Sequence, residues 1–399
     1  MPLSADLRPS TTASTHPDPR KELSRAPVPQ SRAVRVTTGE AACLVISEHP
    51  AVLDWITMYL GSWWTVAPTR ATSGDPEDVV LRCRLDPEAH RQAGAAVHDQ
   101  PHRVVEFARK PVQVVDDCAD VRAVSIDEQV AYHVTAEGRD VTLIAADFLG
   151  LRLAAARIAR ELIRVQLEAA GWVILHASAA AGDGHAFLAL GGKGAGRTTT
   201  ALLLAGHGLT LLSNDRVFLH PDTLALLPWP SAAALGLGLL RAHGLLDGVR
   251  ARLVAGERLH PTVDPRVTAA ILHGHDTPLI DNGGKELKPQ FFPHQLVDWL
   301  GLRLARSAVV GRLLFPHVSP TTQPALRPTE QTLADSDFFD PDSDDRYPDF
   351  LHLSRTTPKR RHELWAQTRQ DLATLPRSSV ALNYDTAAAQ RILSPLINR

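Results

Sequence analysis

Apolar and polar positions divide the chain into a featureless start, a strand-rich stretch, and a longer stretch in which strands and helices alternate. Residues 1–33 carry Pro, Ser, Thr and charge with almost no periodic apolar position, the composition of a disordered segment. From residue 34 to about 146 short β-type runs follow one another: "CLVIS", "DVVLRCRL", "HRVVEFA", "PVQVV", "VAYHV" and "DVTLIAA", with turn-like residues between them. They predict an α+β unit over residues 34–148. The clearest helix covers residues 149–170. In it Leu151, Ala155, Ile158, Leu162, Val165 and Ala169 recur at three- and four-residue steps, arginines fill the other face, and Gly171 ends it. "WVILHASAA" and "HAFLALGG" then predict two strands joined by the turn "AGDG", a hairpin. The second strand runs into a glycine-rich loop, which the helix "RTTTALLLAG" and the strand "LTLLSND" follow. The chain closes with a helix "RRHELWAQTRQDLATL", a strand "SSVALNY" and a last helix "DTAAAQRILSPLI". Residues 149–399 therefore read as an α/β unit. No internal repeat is visible.

Composition narrows the function more than the fold. A chain of 399 residues is long enough for two domains with real cores. A net charge of −2 gives no reason to expect nucleic acid or anionic membrane as a partner. Cys43, Cys83 and Cys118 are odd in number and lack C-x-x-C spacing, the usage of a reducing cytosol rather than of a disulfide framework or a cysteine zinc site. No apolar core segment opens the chain and no run is long enough to span a bilayer, so the expected location is the cytoplasm.

The chemistry concentrates in "LALGGKGAGRTTTALLLAG". A phosphate loop reads G-x-x-x-x-G-K-[ST], and residues 191–198 fit it except that Arg197 stands where lysine belongs. Gly191, Gly192, Gly194 and Gly196, with Ala195 between the last two, leave room for backbone N–H groups to converge on an anion. The helix start behind them adds free N–H groups and a favourable dipole. Thr198 offers the magnesium-binding hydroxyl, with Thr199 as a spare, and Lys193 is a second cation in the loop. Arginine carries lysine's charge but is longer and planar, so the exchange is not neutral. Asp215 ends an apolar strand 18 residues after Arg197, a distance that returns it to the loop, where it can bind magnesium or take a proton. Other polar clusters read as ordinary surface: Asp116 and Asp117, the acidic tract over residues 335–345, and His273, His275 and Asp276 in "LHGHD". Trp229 reads as a core residue.

Residues 172–219, "WVILHASAAAGDGHAFLALGGKGAGRTTTALLLAGHGLTLLSNDRVFL", resemble the core of the HPr kinase/phosphorylase-like family, which shares its nucleotide-binding fold with phosphoenolpyruvate carboxykinase. His176 matches the family's strand histidine, residues 191–198 its loop, and Asn214 and Asp215 its pair of acids. Lys285 and Lys288 in "GGKELKPQFF" stand roughly where the family carries a basic group toward the phosphates. The resemblance covers residues 171–399 and is specific over the first fifty. Residues 34–146 carry no such resemblance. It implies a phosphoenolpyruvate carboxykinase/HPr kinase-like P-loop domain over residues 149–399, preceded by the smaller α+β domain.

The implied cofactors are ATP and Mg2+. The implied activity is transfer of the γ-phosphoryl group to an alcohol hydroxyl, on a peptide or protein serine or on a small metabolite such as a natural-product intermediate. Asp215, His176 and Arg197 are then the catalytic candidates. Gly191, Gly192, Lys193, Gly194, Ala195, Gly196, Arg197, Thr198, Thr199, Lys285 and Lys288 would hold the nucleotide, and Thr198, Asn214 and Asp215 the metal. Two departures set this chain apart: Arg197 replaces the loop lysine and Asn214 the first acid, and an asparagine ligates through its carbonyl oxygen but is no base. Two alternatives stay open, a non-catalytic nucleotide-binding regulator and a small-molecule kinase of the shikimate or gluconate type. Acceptor identity, the role of the first unit and homo-oligomerisation are also open.

Overall fold

The computed structural model describes residues 32–70, 79–116, 120–135, 138–319, 321–342, 347–383 and 385–397. Residues 1–31 of the expected disordered segment, together with Asp117, Cys118 and residues 343–345 of the acidic tract, lie outside the described residues. Arg32 and Ala33, read with that segment, open the first strand. The chain is mixed α/β, built on two large sheets.

The first sheet uses β1 (Arg32–Thr38), β2 (Ala41–Ser47), β3 (Thr65–Arg70), β4 (Val80–Leu85), β5 (Arg103–Phe107), β6 (Lys110–Asp116), β7 (Asp120–Ser125), β8 (Val130–Thr135) and β9 (Asp140–Ala145). Their order is β3-β1-β2-β4-β9-β8-β7-β6-β5. Two helices, α1 (Pro50–Leu60) and α2 (Pro87–His98), were not legible as such. Each begins on a proline, whose missing N–H costs nothing in a first helical turn. In α2 the Asp86 side chain also accepts from the Ala89 amide as an N-cap.

Helix α3 (Phe148–Ala169) matches the predicted helix to within a residue. Asp147 caps its start by accepting from Gly150 N–H at 2.8 Å. Gly171, at φ +99°, ends it, and Trp172 N–H donates back to the Leu167 carbonyl at 3.0 Å, the bond of a Schellman cap. The expected division at 148/149 does not separate two cores. Helix α3 packs on β2, β4 and β9, and one continuous core runs from Val36 and Leu143 through Leu162 and Ile163 to Trp229 and Phe291. Its arginine face is covered as well. Arg164, only 1 % exposed, donates to Glu161 at 2.7 Å and to Glu168 at 2.8 Å. Arg160 donates to the Pro230 carbonyl, and its guanidinium lies 5.0 Å from the Trp229 ring centre. Burial pushes the Glu168 carboxyl above its ordinary value, and Arg164 opposes the shift.

The second sheet holds β10 (Val173–Leu175), β11 (Ser178–Gly182), β12 (His185–Ala189), β13 (Thr210–Ser213), β14 (Val217–Leu219) and β15 (Ala225–Pro228), with α4 (Arg197–Gly206) between β12 and β13. A lobe of short elements follows: β16 (Ala233–Ala234), α5 (Leu237–Ala242), α6 (Leu246–Val254), α7 (Pro265–Leu272), β17 (Leu279–Ile280), β18 (Glu286–Leu287), β19 (Gln290–Phe291) and α8 (Pro293–Asp298). The chain then returns to the sheet with β20 (Ala308–Val318) and β21 (Ala325–Pro328). Helix α9 (Pro358–Leu372), β22 (Arg377–Leu382) and α10 (Thr386–Ile397) complete the fold. The hairpin β11–β12 turns on Asp183 (φ +51°) and Gly184 (φ +79°), the two left-handed residues of a tight primed turn. The long strand β20 lies parallel to both β12 and β22, so three carboxyl ends open at one edge.

The expected single strand "WVILHASAA" is two. Val173 faces Leu219 across β10–β14 and Ala179 faces Ser213 across β11–β13, six residues along one strand and six back along the other. The Ala179–Ser213 pair keeps the β10–β14 register, β11–β13 slips by one residue at a bulge beyond it, and between the two ladders His176 and Ala177 stand opposite residues 214–216.

Candidate functional site

Everything the glycine loop needs converges at that interruption. The loop leaves the carboxyl end of β12, beside the ends of β20 and β22. In α/β sheets the crevice outside such carboxyl ends is where ligands bind. Gly191, Gly194 and Gly196 take φ values of +124°, +88° and +105°. Ala195 N–H turns back on the Gly192 carbonyl at 3.1 Å, and the first helical bond of α4 joins Thr200 N–H to the Gly196 carbonyl at 2.9 Å. The first turn of α4, from Arg197 to Thr199, thus presents its N–H groups toward the loop.

The interruption leaves backbone groups to satisfy, and side chains of the site satisfy them. Thr198 and Ser178 both donate their hydroxyls to the Asn214 carbonyl, at 2.9 and 2.7 Å. Ser213 donates its own to the Arg216 carbonyl. Arg197 donates to the His176 carbonyl. Burial lowers the Arg197 guanidinium from its ordinary value, Asp215 and Asp337 act against that shift, and Arg216 adds to it. Asp215 is half-buried and ion-paired to Arg216 at 3.0 Å. Arg216 is itself buried, with its guanidinium 5.4 Å from the Phe339 ring centre and 5.7 Å from that of Trp229. Trp229, fully buried and stacked on Phe218, is the core residue its sequence context suggested.

The structure thus brings His176, the loop, Arg197, Thr198, Asn214 and Asp215 together. It does not bring Lys285 and Lys288 with them. They sit on the β17–β18 hairpin, Lys288 pairs with Glu286 at 3.2 Å, and among the described residues no hydrogen bond or ion pair links either lysine to residues 191–198. His273 and Asp276 have local partners, the Ala269 carbonyl and Arg241.

Part of the acidic tract is not hydrated surface. Asp337 is 4 % exposed, accepts the Gly191 amide at 3.2 Å and the Ala334 amide at 2.8 Å, and gives its carbonyl to His176 N–H at 2.7 Å. The signal was in "DSDFFD": two adjacent phenylalanines do not belong in a solvated acidic loop. Phe338 stacks on Trp365 with ring centres 4.8 Å apart, and Phe339 N–H bonds the Ile174 carbonyl at 2.9 Å, which docks the segment on β10. Ser178 and Arg216 were missed too, and no sequence pattern marks them.

A hard cation needs oxygen donors. No group of three or more His, Cys, Asp or Glu suited to a metal occurs among the described residues. Thr198, Asn214 and Asp215 nevertheless form an oxygen set, and the Oδ1 of Asn214, a residue 4 % exposed, has no hydrogen-bond partner among the described residues. An orphaned buried carbonyl oxygen, with Thr198 and Asp215 as further oxygen donors, is the donor chemistry Mg2+ takes. Compared with known proteins, the chain matches no family model and no curated protein sequence. No helix among the described residues is long and apolar enough to cross a membrane.

Proposed function

We propose that the chain is an ATP-dependent, cytoplasmic kinase with an HPr kinase-like nucleotide site, acting on an alcohol hydroxyl of a peptide, protein or small metabolite. One observation carries the reading: a strand, a loop with three left-handed glycines and a helix N-terminus lie against a strand end that carries a carboxylate. In this reading the loop amides and Arg197 hold the phosphates, and Thr198, Asn214 and Asp215 hold Mg2+. Bound there, Mg2+ would neutralise charge on the triphosphate. Asp215 takes the proton of the acceptor hydroxyl, and its pairing with Arg216 fixes where that carboxylate sits.

The test compares the wild type with Asp215→Asn. Both should be stabilised by Mg-ATP, by about 2.7 kcal/mol at a hundredfold excess over Kd. Only the wild type should release ADP at full rate with acceptor alcohols, and kcat of the variant should fall at least ~10²-fold. Absence of any thermal shift with Mg-ATP, or full kcat in Asp215→Asn, refutes the reading. A shift without ADP release from the wild type selects the non-catalytic regulator instead.

A further inference from the structure

The Asp337 carboxylate accepts the first amide of the glycine loop, Gly191 N–H, at 3.2 Å. It is not a passing contact. Both carboxylate oxygens accept backbone N–H groups, its carbonyl bonds His176, and the Phe338 and Phe339 contacts pin the segment on either side of β10. Backbone N–H groups bonded to a carboxylate make charge-assisted bonds, the stronger kind. Around Arg197 the charges then balance: Arg197 and Arg216 face Asp215 and Asp337, two positive against two negative. A phosphate loop ordinarily offers a triphosphate net positive charge. Those four groups offer none here, and the exposed Lys193 is the loop's remaining cation.

We propose that Asp337 makes nucleotide binding at this loop conditional on a divalent cation, by fixing a carboxylate against the first amide of the loop that would hold the polyphosphate. The inference rests on the nucleotide-site reading above. It also assigns a function to a segment far away in sequence.

Calorimetric titration of the full chain with Mg-ATP, and with ATP in EDTA, tests this. The wild type should bind Mg-ATP far more tightly than metal-free ATP. Asp337→Asn should tighten metal-free ATP by ~10-fold, the scale of removing one nearby like charge at a partly screened site, and change Mg-ATP little. Asp337→Ser, also without charge, should do the same and covers the case in which the asparagine variant folds poorly. Asp337→Glu disturbs the geometry but keeps the charge, so it should retain the wild-type ratio. Asp335→Asn removes a charge from the same turn, at an exposed side chain paired with Arg369, and should leave the ratio unchanged. An unchanged ratio in the two neutral variants overturns the inference alone. So does a glutamate or Asp335→Asn variant that behaves like them. Failure of every protein to bind either form overturns the nucleotide reading, and this inference with it.

Discussion

Replacing Gly196 by alanine separates what the loop needs to fold from what it needs to bind. A phosphate-loop glycine is usually credited with letting the backbone approach the ligand. At Gly196 two constraints come from the protein itself. Its φ is +105°, and a Cβ added there would lie 2.1 Å from Cγ2 and 3.0 Å from Cβ of Val318, at the end of β20. The left-handed backbone costs an L-residue roughly 1–2 kcal/mol. Overpacking against a β-branched neighbour that cannot rotate freely costs about 1–3 kcal/mol. Gly196→Ala should therefore lose about 2–5 kcal/mol of unfolding free energy in urea titrations. In a Val318→Ala background the Cγ2 overlap disappears while the backbone term stays, so the cost should fall to about 1–2 kcal/mol. Gly192 provides the control. Its added Cβ meets nothing within 4 Å and its φ is not left-handed, so Gly192→Ala should stay within ~0.5 kcal/mol of wild type. A Gly196→Ala protein as stable as wild type, or a cost indifferent to Val318, would show that the packing of β20 against the loop is wrong.

Two further outcomes concern stability away from the loop. Arg164→Met should destabilise by about 3–5 kcal/mol because it strands Glu161 and Glu168 as buried charges, and adding Glu161→Gln and Glu168→Gln should recover most of that in the same denaturation assay. Burial, with the charges of Arg157 and Arg152, pulls His260 down to about 4, so below its unfolded value near 6.5 only the unfolded chain binds the proton. Stability should fall as pH drops from 6.5 toward 4, by up to ~3 kcal/mol from this group, and His260→Gln should flatten that part of the pH profile.

Local signals with a fixed period were legible, and long-range ones were not. Helix α3 announced itself through a three- and four-residue apolar period, an arginine face and Gly171, all contained in one window of sequence. The same window gave no sign that Arg160 and Arg164 would be buried, because that depends on Trp229, which follows β15 of the second sheet, and on Phe339 and Tyr347 lying over the polar face. Strand β20, at the centre of that sheet, was not singled out, though "AVVGRLLFPHV" is a plain apolar run, because no motif drew attention to it. The break at His176 had no visible cause either. It exists because residues 337–339 take over the edge of β10, some 160 residues further along the chain. Asp337 was visible only as one acid among many.

Both departures, Arg197 in the loop and Asn214 in the expected acid pair, have a reason in that break. Interrupting the ladder orphans the His176 carbonyl, and a buried orphan costs more than a hydrogen bond returns. Arg197 satisfies it with one nitrogen of a fork that carries five N–H donors, so donors remain for a ligand. A lysine has one nitrogen on a flexible stem and would have to divide it between the carbonyl and the phosphates. Asn214 follows from the same geometry. Its carbonyl anchors Thr198 and Ser178, its side chain is buried, and Asp215 and Asp337 already match the two arginines around it. A third carboxylate at that depth would have no counter-charge, and burial without one favours the neutral form. An amide gives the same oxygen without the charge. The two residues that look like decay in an alignment of motifs are therefore the ones this interrupted strand requires.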